Sequence, residues 1–177
     1  WLKAYTPIAR IRKYIENIED SVDNYPDAQF LHTMRDTLPD GKRVIAIIGP
    51  TASGKSALAV RLSRKFNGEV IGADSRQVYR GLDVGTGKIT RKEMNGIPHH
   101  LLDVADPRKQ FSVVQFQRHA REKIAQIQSC GHIPIICGGT GFYIDSLLNN
   151  AKFPEAPPNP RMRRQLERES TGALFAL

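Results

Sequence analysis

The chain has 177 residues, with Lys+Arg 26 against Asp+Glu 18, 40% hydrophobic residues, 14 glycines and 2 cysteines. That length fits one domain of roughly 100–200 residues with an appendage. No run approaches the ~18 consecutive apolar residues of a membrane helix, and Cys130 and Cys137 cannot build a disulfide scaffold or a four-ligand zinc site. A reducing, cytoplasmic setting without a membrane is expected. The start shows no basic patch followed by an apolar core, as a secretory signal would. Opening on Trp1 rather than Met, the chain is expected to be a cut or processed product.

The charge is uneven. Residues 1–42 hold 6 basic and 7 acidic side chains, and residues 43–177 hold the other 20 and 11. The excess of +9 in the second part favours polyanionic partners, nucleic acid or phosphorylated substrates.

In chain order, Ile8, Ile11, Ile15 and Ile18 fall three and four apart and predict one amphipathic helix. Residues 20–42 are polar and turn-rich, a linker with a short helix near Phe30–Met34; 1–42 is thus a helical extension. From Arg43 the pattern changes. Val44–Ile48 is a short apolar run, expected of a strand buried on both faces of a parallel sheet. A glycine-rich turn and a helical pattern (Ala57, Leu58, Val60, Leu62, Phe66) follow. Strands are expected at Glu69–Ala73, His100–Leu102 and Ile133–Cys137. Helices are expected over Ser112–Ser129, after Gly138-Gly139-Thr140, and over the basic stretch Arg161–Glu169. Strands alternating with helices predict an α/β domain with a mainly parallel sheet over 43–177.

The strongest chemical signal is Gly49, Pro50, Thr51, Ala52, Ser53, Gly54, Lys55 and Ser56, which fits glycine, four residues, then Gly-Lys-Ser between strand and helix. Backbone N–H groups of the turn and the helix N-terminus surround an anion. Lys55 adds a mobile positive charge, and Ser56 can hold a Mg²⁺ bridging phosphate oxygens. Asp74 ends the second strand, at the carboxyl edge where α/β sheets bind ligands. It can accept a proton from a nucleophile, hold a metal-bound water, or cap the following turn. The strand at 133–137 is followed by Gly-Gly-Thr and not by the aspartate usual in nucleotide hydrolases; Asp103 or Asp74 is left to hold the metal water.

Other residues carry blander readings. Adjacent His99 and His100 point apart on a strand and have no third ligand. Cys130 and Cys137 flank a buried strand as packing residues. Residues 88–92 read as a solvated loop, and Arg161, Arg163, Arg164 and Arg168 as a solvated helix face.

Four blocks together resemble the tRNA dimethylallyltransferase (tRNA isopentenyltransferase) family: the phosphate loop, Ala73-Asp-Ser-Arg-Gln-Val-Tyr-Arg-Gly-Leu-Asp-Val-Gly-Thr-Gly-Lys88, Gly96-Ile-Pro-His-His-Leu-Leu-Asp-Val104, and Gly138-Gly-Thr-Gly-Phe-Tyr143. The resemblance implies a P-loop kinase-like three-layer fold. It also implies transfer of a dimethylallyl group from dimethylallyl diphosphate to the exocyclic amine of the adenosine 3′ of the anticodon, with Mg²⁺. It implies that Asp74 is the base, that Thr51 and Lys55 orient and stabilise the diphosphate end, and that Asp74, Ser75, Arg76, Gln77, Thr140 and Arg163 contact the tRNA anticodon arm. A monomer is expected. Ile89 stands where the family usually has proline, residues 1–42 match nothing in it, and the core is expected to be C-terminally incomplete. The competing readings are a P-loop kinase of a nucleoside or small metabolite using ATP, a prenyltransferase of a free adenine nucleotide, and a non-catalytic RNA-binding remnant.

Overall fold

Ile45–Ile48 forms β1, and the chain then alternates between helices and strands: α1 (Lys55–Phe66), β2 (Gly68–Gly72), a 3₁₀ turn (Val84–Thr86), α2 (Arg91–Met94), β3 (His99–His100), α3 (Val113–Ser129), β4 (Ile133–Gly138), α4 (Gly141–Leu148), α5 (Pro160–Leu166) and α6 (Thr171–Phe175). This is a computed structural model, and it describes residues 44–49, 51–153 and 159–175. The extension over 1–42, with its expected helices, lies outside the described residues, as does Pro50.

The strands lie in the order β1-β4-β2-β3, and every pairing is parallel. Side chains alternate across a strand with a period of two, so each strand feeds two cores. Ile45, Ile47, Val70, Ile135 and Cys137 meet Ala59 and Leu62 of α1 on one face. Ala46, Ile71 and Ile136 meet Phe116, Ile124 and Leu147 of α3 and α4 on the other. The result is the expected three-layer α/β arrangement. It explains why β1 and β4 read as unbroken apolar runs rather than alternating ones.

Helix ends are set locally. Ser112 and Gln115 form a reciprocal capping box at the start of α3. Asn67, in the left-handed region at φ 53°, ends α1. Phe116 stacks on Tyr143 at 4.3 Å between ring centroids. Such a pair contributes about 0.5–1.5 kcal/mol beyond burial and fixes α3 against α4.

Most element ends differ by a residue from the sequence reading, among them β1 (Ile45–Ile48), β4 (Ile133–Gly138) and α3 (Val113–Ser129). β2 is Gly68–Gly72, one residue earlier than Glu69–Ala73. β3 is His99–His100 and not His100–Leu102, because Leu101 (φ 60°) and Asp103 (φ 56°) adopt left-handed backbone that ends the strand. The basic helix is Pro160–Leu166, started by an Asn159 side chain that accepts from the N–H of Met162 at 3.0 Å, and a further short helix follows it.

The approach of β2 to β4 at their carboxyl ends is unusually close. A Cβ on Gly138 would stand 2.1 Å from the carbonyl oxygen of Ala73. The Ala73 N–H donates to the Cys137 carbonyl at 2.8 Å, and the Thr140 N–H returns to the Ala73 carbonyl at 3.2 Å. Glycine at 138 lets the chain turn from β2 and the chain leaving β4 run in contact, next to Asp74.

Candidate active site

The phosphate loop meets the carboxyl edge of the sheet in a cavity of about 240 Å³. Residues 51–57 line one part of it; Asp74, Gln77, 86–87 and 137–139 line the rest. The loop takes this shape through left-handed backbone at Ala52 (φ 63°) and Gly54 (φ 80°). No side chain caps the N-terminus of α1, and the end of a helix that lines a cavity favours an anion there. Thr51, Ala52, Gly54 and Ser56 are exposed, and Ser53 and Lys55 half-buried.

Lys55 Nζ lies 3.4 Å from Ser53 Oγ. Burial holds its pKa below the ordinary lysine range, against the pull of Cys137 and Asp74. Cys137 is itself buried, which pushes its thiol up to about 12 despite Lys55 and a hydrogen bond with the Ser56 side chain. The thiol is therefore neutral near pH 7, and Asp74 supplies the opposing charge that Lys55 feels. A polyanion placed in the cavity would add to that attraction and favour the charged ammonium.

Asp74 does two things at once. Its Oδ1 accepts from the N–H groups of Arg76 (2.8 Å) and Gln77 (3.3 Å), closing the turn after β2. Both bonds fall on Oδ1; Oδ2 takes none from the described residues. The side chain that braces the turn is also the carboxylate of the cavity wall.

The structure brings together most of the residues singled out from the sequence. Gly54, Lys55, Ser56, Thr51, Asp74 and Gln77 share one cavity. Ser75 and Thr140, next in sequence to the wall residues Asp74 and Gly139, do not line it but bond to each other, the Ser75 N–H donating to Thr140 Oγ1 at 2.8 Å. Gln77 turns its amide to the wall, Nε2 donating to the carbonyls of Thr86 (3.0 Å) and Gly87 (3.3 Å). Arg76 is exposed beside Ser75. Arg163, on α5, is exposed and does not line this cavity. Thr86, Gly87 and Gly139 lie in the family-like blocks but carry no site role in the sequence reading, and Cys137 is read there as packing; all four line the wall.

Of the two carboxylates open for a metal water, Asp74 lines the cavity and Asp103 does not. Asp103 is held by Lys88 at 2.6 Å. The reading of 88–92 as a solvated loop fails at Lys88, whose side chain is only 6% exposed, and at Arg91 and Lys92, which open α2 behind the Thr90 cap. Packing also fails as an account of Cys130, which is exposed, whereas Cys137 is buried. His100 and His132 both bond to Glu69, at 2.6 and 2.5 Å. No cluster of three His, Cys, Asp or Glu fit for a metal occurs among the described residues. The donors present suit Mg²⁺ in another way: Mg²⁺ commonly takes one or two protein oxygens and completes its shell with water and substrate phosphates. The Ser56 hydroxyl, in the cavity that Asp74 also lines, fits that demand.

A parallel α/β sheet carrying an anion loop and a carboxylate in one cavity defines a P-loop protein. Residues 77–176, more than half of the chain, match the IPP transferase family model. The chain belongs to the IPP transferase family. It is 49% identical over 135 residues to a tRNA dimethylallyltransferase of Anoxybacillus flavithermus, covering 76% of this chain and 43% of that protein. To a tRNA dimethylallyltransferase of Thermomicrobium roseum it is 50% identical over 126 residues, covering 71% and 38%. Among solved structures, the full-length tRNA isopentenylpyrophosphate transferase of Bacillus halodurans matches at 40% identity with TM-score 0.63, over 81% of this chain and 44% of that one. A eukaryotic dimethylallyltransferase captured acting on tRNA matches at 38% identity and TM-score 0.61, over 70% and 31%. The chain spans less than half the length of these relatives. No helix among the described residues is long and apolar enough to cross a membrane.

Proposed function

We propose that this chain is the donor-binding and catalytic part of a tRNA dimethylallyltransferase. It would move a dimethylallyl group from dimethylallyl diphosphate to N6 of the adenosine 3′ of the anticodon. The observation that carries this reading is the sharing of one cavity by the phosphate loop and Asp74. Membership of the family and its dimethylallyltransferase relatives support prenyl transfer over ATP-dependent phosphorylation of a nucleoside or metabolite.

The chemistry follows from the two halves of the cavity. The loop N–H groups and Lys55 hold the diphosphate, and their hydrogen bonds strengthen as negative charge builds on the departing oxygen. Thr51, at the mouth of the loop, orients the diphosphate end. The adenosine amine attacks C1 of the allyl group, the C1–O bond breaks, and diphosphate leaves with the bonding pair. The proton released from the amine passes to the Asp74 carboxylate, which the Arg76 and Gln77 N–H groups hold in place. The Ser56 hydroxyl would hold a Mg²⁺, which would supply charge neutralisation at the diphosphate oxygens. Asp74 to Gln77 and Thr140 would face the acceptor nucleotide, and Arg163 would contact tRNA further from the chemistry. The unpaired Cys130 and Cys137 accord with a reducing cytoplasm, and a monomer is proposed.

The test is a single-turnover assay with protein in excess, pairing dimethylallyl diphosphate with an anticodon stem-loop RNA, and separately ATP with nucleosides. Label transfer to the RNA adenosine, abolished in Lys55→Ala, is expected. Phosphorylation of a nucleoside instead would replace this reading with the kinase. Donor binding by calorimetry that is equal in wild type and Lys55→Ala would remove the loop from the site.

A further inference from the structure

Lys88 does not line the cavity, yet its ammonium is fully engaged. It lies 2.9 Å from the Tyr79 carbonyl oxygen, 2.7 Å from Asp83 Oδ1 and 2.6 Å from Asp103 Oδ1. A lysine ammonium has three N–H donors, and these three acceptors use them all. Two of the three partners are fixed to the body of the domain. The Tyr79 hydroxyl accepts from the Phe111 N–H at 3.0 Å, and Tyr79 is bridged to Ala105. The Asp103 N–H donates to the Gln77 carbonyl at 3.2 Å.

Asp83 is different. Its side chain is 66% exposed, and it is the N-cap residue of the 3₁₀ turn Val84–Thr86 within the 82–87 segment, in which Val84 is fully exposed. That segment ends in Thr86 and Gly87, which form the cavity wall opposite in sequence to the phosphate loop. From within, the Gln77 amide holds the Thr86 and Gly87 carbonyls. From without, the Lys88–Asp83 pair ties the start of the segment to Tyr79 and Asp103.

We propose that Lys88 is a positioning residue, a charged latch that fixes the 82–87 wall beside Asp74 so that the acceptor nucleotide can be engaged. The part of this that concerns RNA rests on the proposed function; the latch itself does not. Two carboxylates around one ammonium keep the lysine charged: burial opposes the charge, and the bonds to Asp103 and Asp83 outweigh it, so that its pKa lies above the ordinary range. Lysine suits the place because three acceptors surround a point charge, whereas the planar fork of arginine presents its donors in one plane.

The test uses the whole 177-residue chain as wild type, Lys88→Met and Asp83→Ala. Three quantities are read: hydrogen exchange of the 82–87 amides against those of α3, affinity for inorganic pyrophosphate, and affinity for an anticodon stem-loop RNA. Both variants should exchange roughly tenfold or more faster at 82–87, with α3 unchanged. Pyrophosphate affinity should stay within about twofold and RNA affinity fall roughly tenfold or more, since misplacing a contact surface costs on that scale. Unchanged exchange at 82–87 in folded variants would overturn the latch. So would a rise in α3 exchange equal to that at 82–87 in both variants, which would mark a fold-wide role. Faster exchange with unchanged RNA affinity would overturn the positioning role. If wild type binds pyrophosphate but no RNA, the tRNA reading of the previous section fails, and the exchange data still decide the latch.

Discussion

The N–H of Ser75 donates to the hydroxyl of Thr140 at 2.8 Å, across 65 residues of sequence. This bond joins the turn that carries Asp74 to the start of α4, so the carboxylate and the glycine strip after β4 move as one piece. Thr140→Val keeps the shape and removes the acceptor. Loss of one such part-buried bond should cost about 1 kcal/mol. Transfer should fall more than donor binding, because the phosphate loop is untouched. A chemical melt with single-turnover rates and donor calorimetry checks this; equal losses in both functions would contradict it.

Gly138→Ala should be more severe. The added Cβ would meet backbone, the Ala73 carbonyl at 2.1 Å, and not a side chain that can swing away. Overpacking of this kind costs about 1–3 kcal/mol, and here relief requires β2 and β4 to part beside Asp74. The expected outcome is a lowered melting temperature together with slow transfer. A stable, active variant would show that the strand ends separate freely.

Much of this architecture is legible in the amino-acid sequence, for identifiable reasons. β1 and β4 are buried on both faces, so they appear as apolar runs that no surface element imitates. α3 has a clean one-sided pattern at Phe116, Ala120, Ile124 and Ile127, with Ser112 as its cap. The anion loop depends on backbone and glycine, which a short motif captures. β3 was misplaced because two residues are too few to show a period, and its end depends on left-handed backbone at Leu101 and Asp103. Lys88 looked solvated because its partners, Asp83 and Asp103, flank it in sequence at distances that no periodicity links. Thr86 and Gly87 lie in the Ala73–Lys88 block, yet their place in the wall is not legible there: tertiary hydrogen bonds from Gln77 place them, not local pattern.

The two thiols should differ in reactivity. Burial raises Cys137 to about 12, more than offsetting Lys55 and Ser56, whereas Cys130 is exposed. The thiolate is the nucleophile, so near pH 8 Cys137 holds almost none. Iodoacetamide should label Cys130 first and leave Cys137 largely unmodified in the folded chain. Peptide mass analysis reads the outcome, and equal labelling rates would contradict the burial of Cys137 beside the loop.

Glu69 predicts an acid limb in the stability profile. Burial would raise its pKa, but hydrogen bonds from His100 and His132, with their charges, outweigh that and hold it below the ordinary glutamate value. A carboxylate depressed in the folded state contributes stability above its unfolded pKa, about 4.3, and loses it as pH falls through the folded value. Glu69→Gln should therefore melt lower than wild type near pH 6, and the gap should narrow as pH falls below the ordinary glutamate value towards the depressed folded one. A gap that stays constant with pH would assign the loss to packing and not to charge.

The decisive substitution is Asp74→Asn. Its Oδ1 already accepts two backbone N–H bonds, and an asparagine carbonyl oxygen can accept the same two, so the turn should survive with little change in melting temperature. What asparagine cannot do is take a proton from the attacking amine. Prenyl transfer should drop by roughly 10²–10⁴-fold, the usual worth of a positioned general base. Donor affinity should stay nearly constant, because the loop amides and Lys55 hold the diphosphate. If Asp74 acted instead by holding a metal water, raising Mg²⁺ would restore part of the rate. If it served only the turn, transfer would be nearly normal. Single-turnover transfer at two Mg²⁺ concentrations, alongside donor calorimetry and a melt, separates the three. A near-normal rate in a variant of unchanged stability would strip Asp74 of its catalytic role and leave it the closing residue of the turn after β2.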